Sequence, residues 1–191
     1  MVFDFAARPP EINSALMYSG AGAGPLMAAS SAFNNLSSEL SSNASSYESV
    51  INQLTGSEWQ GPSSQAMAAA AQPYIAWLDT TAAQLQEAAT QATASAAAYE
   101  MAFSATIPPM VVAANRAQLA ILVATNILGQ NTPAIAANEA MYGEFWAQDA
   151  AAMFGYAGAS AAAATLSPLT PPAQNTNPAG QGQQAAAVSN A

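Results

Sequence analysis

The stretch LMAASSAFNNLSSELSSNASSYESVINQL, residues 26–54, places large apolar side chains on a stripe of alternating three- and four-residue steps, in which Ala29 fills one step and Asn43, beside Ala44, interrupts another. These side chains are Leu26, Phe33, Leu36, Leu40, Tyr47, Val50 and Leu54. Alternating steps of this kind form a heptad seam, sustained here over about four heptads. The stretch therefore predicts one amphipathic helix of about 30 residues, roughly 45 Å long at about 1.5 Å per residue.

A second long helix is predicted from Pro62 to about Ala105, with Pro73 inside it as the expected site of a bend. The link between the two helices, residues 55–61, is short, so the helices must run antiparallel. Such a hairpin leaves part of each apolar stripe uncovered, and we expect helices of another chain to complete it. The predicted partner seam consists of Phe33, Leu36, Leu40, Tyr47, Leu54, Met67, Tyr74, Leu78 and Leu85.

Prolines mark the beginnings of the remaining helices. Pro9-Pro10-Glu11 predicts a short helix reaching about Tyr18, because proline is tolerated in a first turn and an acid suits the helix dipole there. Pro108-Pro109 predicts a fourth helix that ends near Gly129. Thr132, directly before a proline, is the predicted N-cap of a fifth.

The predicted fold class is all-α, because no segment has the alternation typical of a strand. We expect an elongated bundle of about five helices, built on the long antiparallel hairpin. Residues 1–166 should form this helical domain. Residues 167–191 are rich in Pro, Gly, Ala and Gln and predict a low-complexity, disordered linker or tail.

The composition excludes several classes of function. Charged residues make up only 7% of the chain, and the net charge of -9 disfavours nucleic acid and anionic lipid as partners. The absence of cysteine and histidine removes thiolate metal sites, the usual zinc ligands and the Ser-His-Asp arrangement. We therefore predict no catalytic residue, no metal and no cofactor. The apolar run LAILVA, residues 119–124, is too short to span a bilayer, so no transmembrane segment is predicted.

Four motifs in order give the chain a family resemblance. They are Pro9-Pro10-Glu11, Trp59-Gln60-Gly61, AAQPYIAWL (residues 70–78) and LVATNILGQNTPAIAANEAMY (residues 122–142). Together they resemble the mycobacterial PPE family over about residues 1–167. The resemblance implies an all-helical domain that forms a heterodimer with a two-helix PE protein. It also implies a protein made in the cytoplasm and exported to the cell surface or secreted by a type VII (ESX) system.

The same resemblance implies two sites. Trp59 and Gly61 would form the Trp-x-Gly half of a composite export signal, whose other half, Tyr-x-x-x-Asp/Glu, is absent from this chain and belongs to the partner. An EspG-type cytosolic chaperone would bind the tip between the fourth and fifth helices. The tip residues are Leu122, Asn126, Ile127, Leu128, Gly129, Gln130, Asn131 and Thr132.

Several alternatives stay open at this point. Trp59 could plug the end of its own hairpin, and Ile127-Leu128 could be ordinary interhelical core. Glu139, Glu144 and Asp149 could form a solvated face or, less readily, a carboxylate site. A self-associating or outer-membrane helical channel protein is the alternative function, and an enzyme with a carboxylate-only site is a further one.

Overall fold

The computed structural model of the chain describes residues 4–189, so the first three residues of the predicted domain and the last two of the predicted tail lie outside it. Within the described range the regular structure is entirely helical, which confirms the all-α prediction. The helices are α1 (Pro10–Tyr18), α2 (Gly24–Gln53), α3 (Pro62–Ala105), α4 (Pro109–Ala124), α5 (Thr132–Ala163) and α6 (Gly180–Ser189). A 3₁₀ turn (Phe5–Ala7) precedes α1, and a π-helical turn (Leu54–Glu58) follows α2.

The chain divides into two compact units. The first unit comprises Met1–Ser30 and Thr90–Leu166, and the hairpin unit comprises Ser31–Ala89 and Ser167–Ala191. Both α2 and α3 pass from one unit into the other. The chain after Leu166 thus groups with the hairpin and not with the helices that directly precede it.

In the first unit, α5 packs against α4, α1 and the 3₁₀ turn. Its core consists of Phe5, Met17, Ala102 and Met153, surrounded by the half-buried aromatic residues Tyr18, Tyr99, Phe103 and Tyr156. The rings of Tyr18 and Phe103 lie 4.4 Å apart between centroids. Aromatic rings bury large apolar areas, so this cluster supplies much of the unit's hydrophobic stabilisation.

The Pro-Pro-Glu motif anchors the N-terminal segment within the first unit. Pro10 is fully buried at the beginning of α1. Glu11 accepts a hydrogen bond of 2.9 Å from the hydroxyl of Tyr142 on α5. Burial and the neighbouring Glu11 carboxylate raise the pKa of Tyr142.

The hairpin unit is a layer of two helices, and half of its buried apolar residues are alanine. The hydroxyl of Ser37 donates to the carbonyl of Ala82 at 2.8 Å, and the rings of Tyr47 and Tyr74 meet edge to face at 5.6 Å. Later residues of α2 thus face earlier residues of α3, as an antiparallel pair requires. The core cluster has three buried members, Ala44, Ile75 and Leu78, with Leu40, Tyr74 and Trp77 half-buried around them.

Local details differ from the sequence-based prediction. The fourth helix ends at Ala124, not near Gly129, because side chains of the following loop bond its backbone instead. Thr132 is the first residue of α5 rather than its N-cap, and the cap position belongs to Asn131. The π-helical turn and α6 were not predicted. The long helix α3 continues through Pro73.

One helical stretch, Pro62–Ala124, contains an 18-residue window apolar enough to cross a membrane by length and composition alone. This stretch comprises α3 and α4, with a break between Ala105 and Pro109. The sequence prediction of no transmembrane segment considered only the run at residues 119–124 and did not weigh this longer window.

Candidate protein-interaction sites

The turn between α2 and α3 positions Trp59 through backbone bonds. The N–H of Trp59 donates to the carbonyl of Leu54 at 2.7 Å, a five-residue step that closes the π-helical turn. Gly61 has φ of 124°, a conformation that favours glycine, and its carbonyl accepts the hydroxyl of Ser64 at 3.1 Å at the beginning of α3. The Trp59 side chain remains 41% exposed. It is therefore neither a fully packed plug nor a fully solvated ring.

The loop between α4 and α5 is braced by amide side chains. The backbone N–H of Asn131 donates to Oδ1 of Asn126 at 2.8 Å. The Asn131 side-chain amide donates to the carbonyl of Leu122 at 3.1 Å and to the hydroxyl of Thr125 at 2.8 Å. The side-chain amide of Asn126 lies 3.4 Å from the Thr132 hydroxyl. Asn131 thereby ties the beginning of α5 to the last turn of α4.

Gln130 provides a second brace in the same loop. Its Oε1 accepts the backbone N–H of Leu128 at 3.0 Å, and its Nε2 donates to the carbonyl of Thr125 at 3.1 Å. Gly129, between these residues, has φ of 78°, where a side chain would be strained. The backbone of the loop is thus fixed from both ends.

This bracing leaves apolar side chains on the outside. Ile127 is 84% exposed and Leu128 is 91% exposed. Ile121 and Val123, at the end of α4, are also exposed. Asn126 and Asn131 bond within the loop and are half-buried, whereas Ile127 and Leu128 are the most exposed large apolar side chains of the tip, beside the exposed polar residues Thr125, Gln130 and Thr132. Such exposed apolar side chains make the tip a candidate interaction site.

Of the predicted tip residues, Leu122, Asn126 and Asn131 are half-buried, and the others are exposed. Sequence reasoning did not assign Ile121, Val123 or Thr125 to the tip. Ile121 and Val123 belong to the apolar run at residues 119–124, and its position at a predicted helix end was the available signal.

Below the tip, paired asparagines join α4 to α5. The amide of Asn115 donates to the carbonyl of Asn138, and the amide of Asn138 donates to the carbonyl of Asn115, both at 3.2 Å. Arg116 forms an ion pair of 3.3 Å with Glu139 and lies 3.7 Å above the ring of Tyr142. These contacts fix the two helices that carry the tip.

The predicted partner seam separates into buried and accessible residues. Leu78 and Leu85 are buried between the chain's own helices and present almost no surface. Leu36 is 47% exposed and Tyr47 is 37% exposed. The five remaining seam residues, Phe33, Leu40, Leu54, Met67 and Tyr74, are half-buried. Val50, which the seam prediction left out, is exposed on the same helix.

The three acidic residues of α5 do not share one environment. Glu139 and Glu144 are exposed, but Asp149 is fully buried, which corrects the interpretation of all three as a solvated face. Asp149 accepts the backbone N–H of Ile107 at 2.8 Å, in the link between α3 and α4. Burial raises the pKa of this carboxyl, and the hydrogen bond opposes the rise. Among residues 4–189, no three acidic side chains come close enough together to hold a metal ion.

Comparison with known proteins identifies the family to which the chain is similar. A model of the PPE family matches residues 4–167. The chain is 64% identical over 188 residues to PPE family protein PPE15 of Mycobacterium tuberculosis, covering 98% of this chain and 48% of that protein. It is 61% identical to PPE family protein PPE44 and 58% identical to Transporter PPE51 of the same organism, covering 98% of this chain and 49% and 50% of those proteins.

The chain spans about half the length of the curated relatives it matches. None of these three relatives is named for an enzymatic activity. The family model spans the four motifs and ends at residue 167, so it leaves out most of the chain after Leu166 that groups with the hairpin unit. On this match and these identities, the chain belongs to the PPE family.

Proposed function

We propose that this chain is a non-enzymatic secretion substrate that forms a heterodimer with a two-helix PE-family protein. One observation carries the proposal: within the hairpin unit, α2 buries only Ser37, Ala44 and Ile51 and leaves the larger side chains of Leu36, Tyr47 and Val50 exposed. Two packed helices bury one stripe each, and most helical stability in proteins comes from tertiary packing. The hairpin therefore has a small core for its length, and helices from a second chain are the natural complement.

The accessible seam residues supply the surface for that complement. Leu36 and Tyr47 lie on α2 with substantial exposure, and Val50 extends the row by one helical turn. Burying apolar area of this kind contributes about 25 cal/mol per Å². The seam carries no Lys or Arg, so we expect the contact to depend on burial more than on ion pairs.

The second partner in the proposal is an EspG-type chaperone at the tip between α4 and α5. The braced loop holds Ile127 and Leu128 in solvent before any partner arrives. A preorganised apolar surface loses little entropy on binding. A chaperone that covers the two side chains would keep the tip from associating with other apolar surfaces in the cytoplasm.

Export by an ESX system completes the proposal. Trp59 and Gly61 form the chain's half of the signal, and the partner supplies the Tyr-x-x-x-Asp/Glu half. The support is the fixed backbone of the turn and the accessible indole ring. The destination is the cell surface or the medium.

A self-associating or membrane-inserted helical protein is the second candidate. It is favoured by the apolar stretch Pro62–Ala124 and by the similarity to a relative named as a transporter. This candidate predicts that the chain forms homo-oligomers, or partitions into lipid vesicles, without any second protein.

Co-expression of the chain with a panel of two-helix PE-family proteins tests the proposal. We expect one of them to give a soluble one-to-one complex. Leu36→Asp should disrupt that complex, whereas Asn35→Asp, at an exposed neighbouring position, should not. If no PE-family protein associates, and the chain alone forms oligomers or enters vesicles, the second candidate replaces the first.

A further inference from the structure

The segment after the last helix of the first unit lies against the hairpin. We name residues 168–177 the strap. The indole Nε1 of Trp77 donates to the carbonyl of Thr170 at 2.7 Å, and Nε2 of Gln84 lies 3.5 Å from the carbonyl of Pro168. Farther along, Ala70 and Pro73 of α3 line a shallow groove together with residues 173–177. The strap thus follows one flank of α3.

The chemistry of the strap suits this contact. Its sequence is PLTPPAQNTN, and it contains no helix or strand. Proline-rich segments are already extended, so they lose little entropy on docking, and their carbonyls have no internal donors. Aromatic-lined surfaces recognise proline-rich segments in many proteins. The hydrogen bond from the Trp77 indole to the carbonyl of Thr170, directly before Pro171, is a contact of this kind made within a single chain.

The strap also reaches the proposed partner seam. Asn175 and Thr176 line a small cavity together with Tyr47 and Met67, two of the seam residues. A partner helix seated on Tyr47 and Met67 would occupy the space that these strap residues fill. The strap and a partner helix therefore compete for one end of the seam.

We propose that the strap is a built-in competitor, docked on the hairpin in the free chain and released when a partner helix binds. The inference rests on the proposed function for the position of the partner seam. The strap is held lightly: its side chains are exposed, and a single short hydrogen bond anchors it. Only chains with an undocked strap can bind a partner helix at this end of the seam. The apparent affinity for the partner therefore falls in proportion to the fraction of chains in which the strap is undocked.

Distance measurements on the full chain test the strap directly. The chain has no cysteine, so Ala83→Cys on α3 and Ala173→Cys in the strap provide two unique spin-label sites. We expect one short, narrow distance in the free chain and a longer, broader one when a co-purifying PE-family protein is bound. A broad distribution in the free chain, or a short distance that persists in the complex, would overturn the proposal.

Substitutions in the strap itself test the competition, because they leave the seam residues on the hairpin unchanged. Pro171→Gly with Pro172→Gly should lengthen the distance in the free chain and tighten partner binding about fivefold, since glycine raises the entropy lost on docking. Pro178→Gly, one residue past the strap, is the matched control and should behave as the parent. Parent-like affinity in the double variant would refute the competition. If no PE-family protein binds at all, the proposed function and the release both fail, while the distance in the free chain still decides whether the strap is docked.

Discussion

Asn131 and Asn126 are linked across the loop between α4 and α5, where the backbone N–H of Asn131 donates to Oδ1 of Asn126 at 2.8 Å. This hydrogen bond and the other side-chain amide hydrogen bonds of the loop are made within the loop and to the end of α4. The side chains of Ile127 and Leu128 remain exposed to solvent. The hydrogen bonds of the loop therefore hold the apolar side chains of the tip in place without any second protein. The first two predictions follow from that arrangement.

Leu128→Asp should abolish chaperone binding and leave the PE complex intact. Leu128 is almost fully exposed, so the substitution should change the free energy of unfolding by less than about 0.5 kcal/mol. Affinity for the EspG-type chaperone, measured by calorimetry, should fall at least about 100-fold as a charge enters an apolar contact. Met110→Asp, at an exposed apolar position in the first turn of α4, is the control. Chaperone binding that survives Leu128→Asp places the chaperone elsewhere.

Asn131→Ala should loosen the tip without touching its apolar surface. The substitution removes the side-chain bonds to Leu122 and Thr125 but keeps the backbone N–H that bonds Asn126. We expect faster amide exchange at Leu128 and chaperone binding about tenfold weaker, because binding must then order the loop. Asn35→Ala, at an exposed site on α2, should change neither quantity. Unchanged exchange at Leu128 would show that the bracing does not depend on Asn131.

Trp59→Ala should leave the heterodimer intact and lower export. The turn's backbone bond from residue 59 to Leu54 is retained in the variant, and only the indole is lost. The measurement compares the amount of chain in the medium with the amount in the cell. Gln60→Ala, at the unspecified middle position of the Trp-x-Gly turn, is the matched control. Equal secretion of the Trp59 variant and the parent contradicts the signal role.

Asp149→Asn should remove a pH dependence of stability. Burial raises the pKa of Asp149 in the folded state, so its proton stabilises the fold. That contribution is fully present below the ordinary pKa of about 4 and is lost as pH rises through the raised folded value. Urea unfolding of the parent should therefore show stability falling with pH across that window, with a flatter profile for the variant. Glu144→Gln, at an exposed position on the same helix, should keep the parent's slope.

The helices that carry the fold could be predicted because their signals are local. The heptad spacing of residues 26–54 and the proline at position 62 placed α2 and α3 within about two residues, an ordinary margin for helix ends. The end of α4 could not be placed as well, because Asn131 bonds the backbone at Leu122 from beyond the helix. Whether a side chain competes in this way depends on the loop geometry, which the spacing of residues does not give.

The strap and Asp149 show two other limits. The strap docks through the carbonyl of Thr170, a group that every residue carries, so its composition predicted only a linker. Glu139, Glu144 and Asp149 are five residues apart, so their side chains point in different directions around α5. One of the three therefore faces the protein interior. Spacing alone did not identify Asp149 as that residue. Ile127 and Leu128 were assigned to the tip by the family resemblance, since their position before Gly129 at a predicted helix end left ordinary interhelical core equally open.

Sedimentation of the purified chain over a wide concentration range, alone and with a co-purifying PE-family protein, together with urea unfolding of the same samples, tests the central claim most directly. The account predicts concentration-dependent self-association of the chain alone, with no single cooperative unfolding transition in the hairpin unit. With the partner it predicts a one-to-one complex that unfolds cooperatively. A chain that is monomeric at high concentration and unfolds in one cooperative step by itself would contradict the claim that its hairpin needs a second protein.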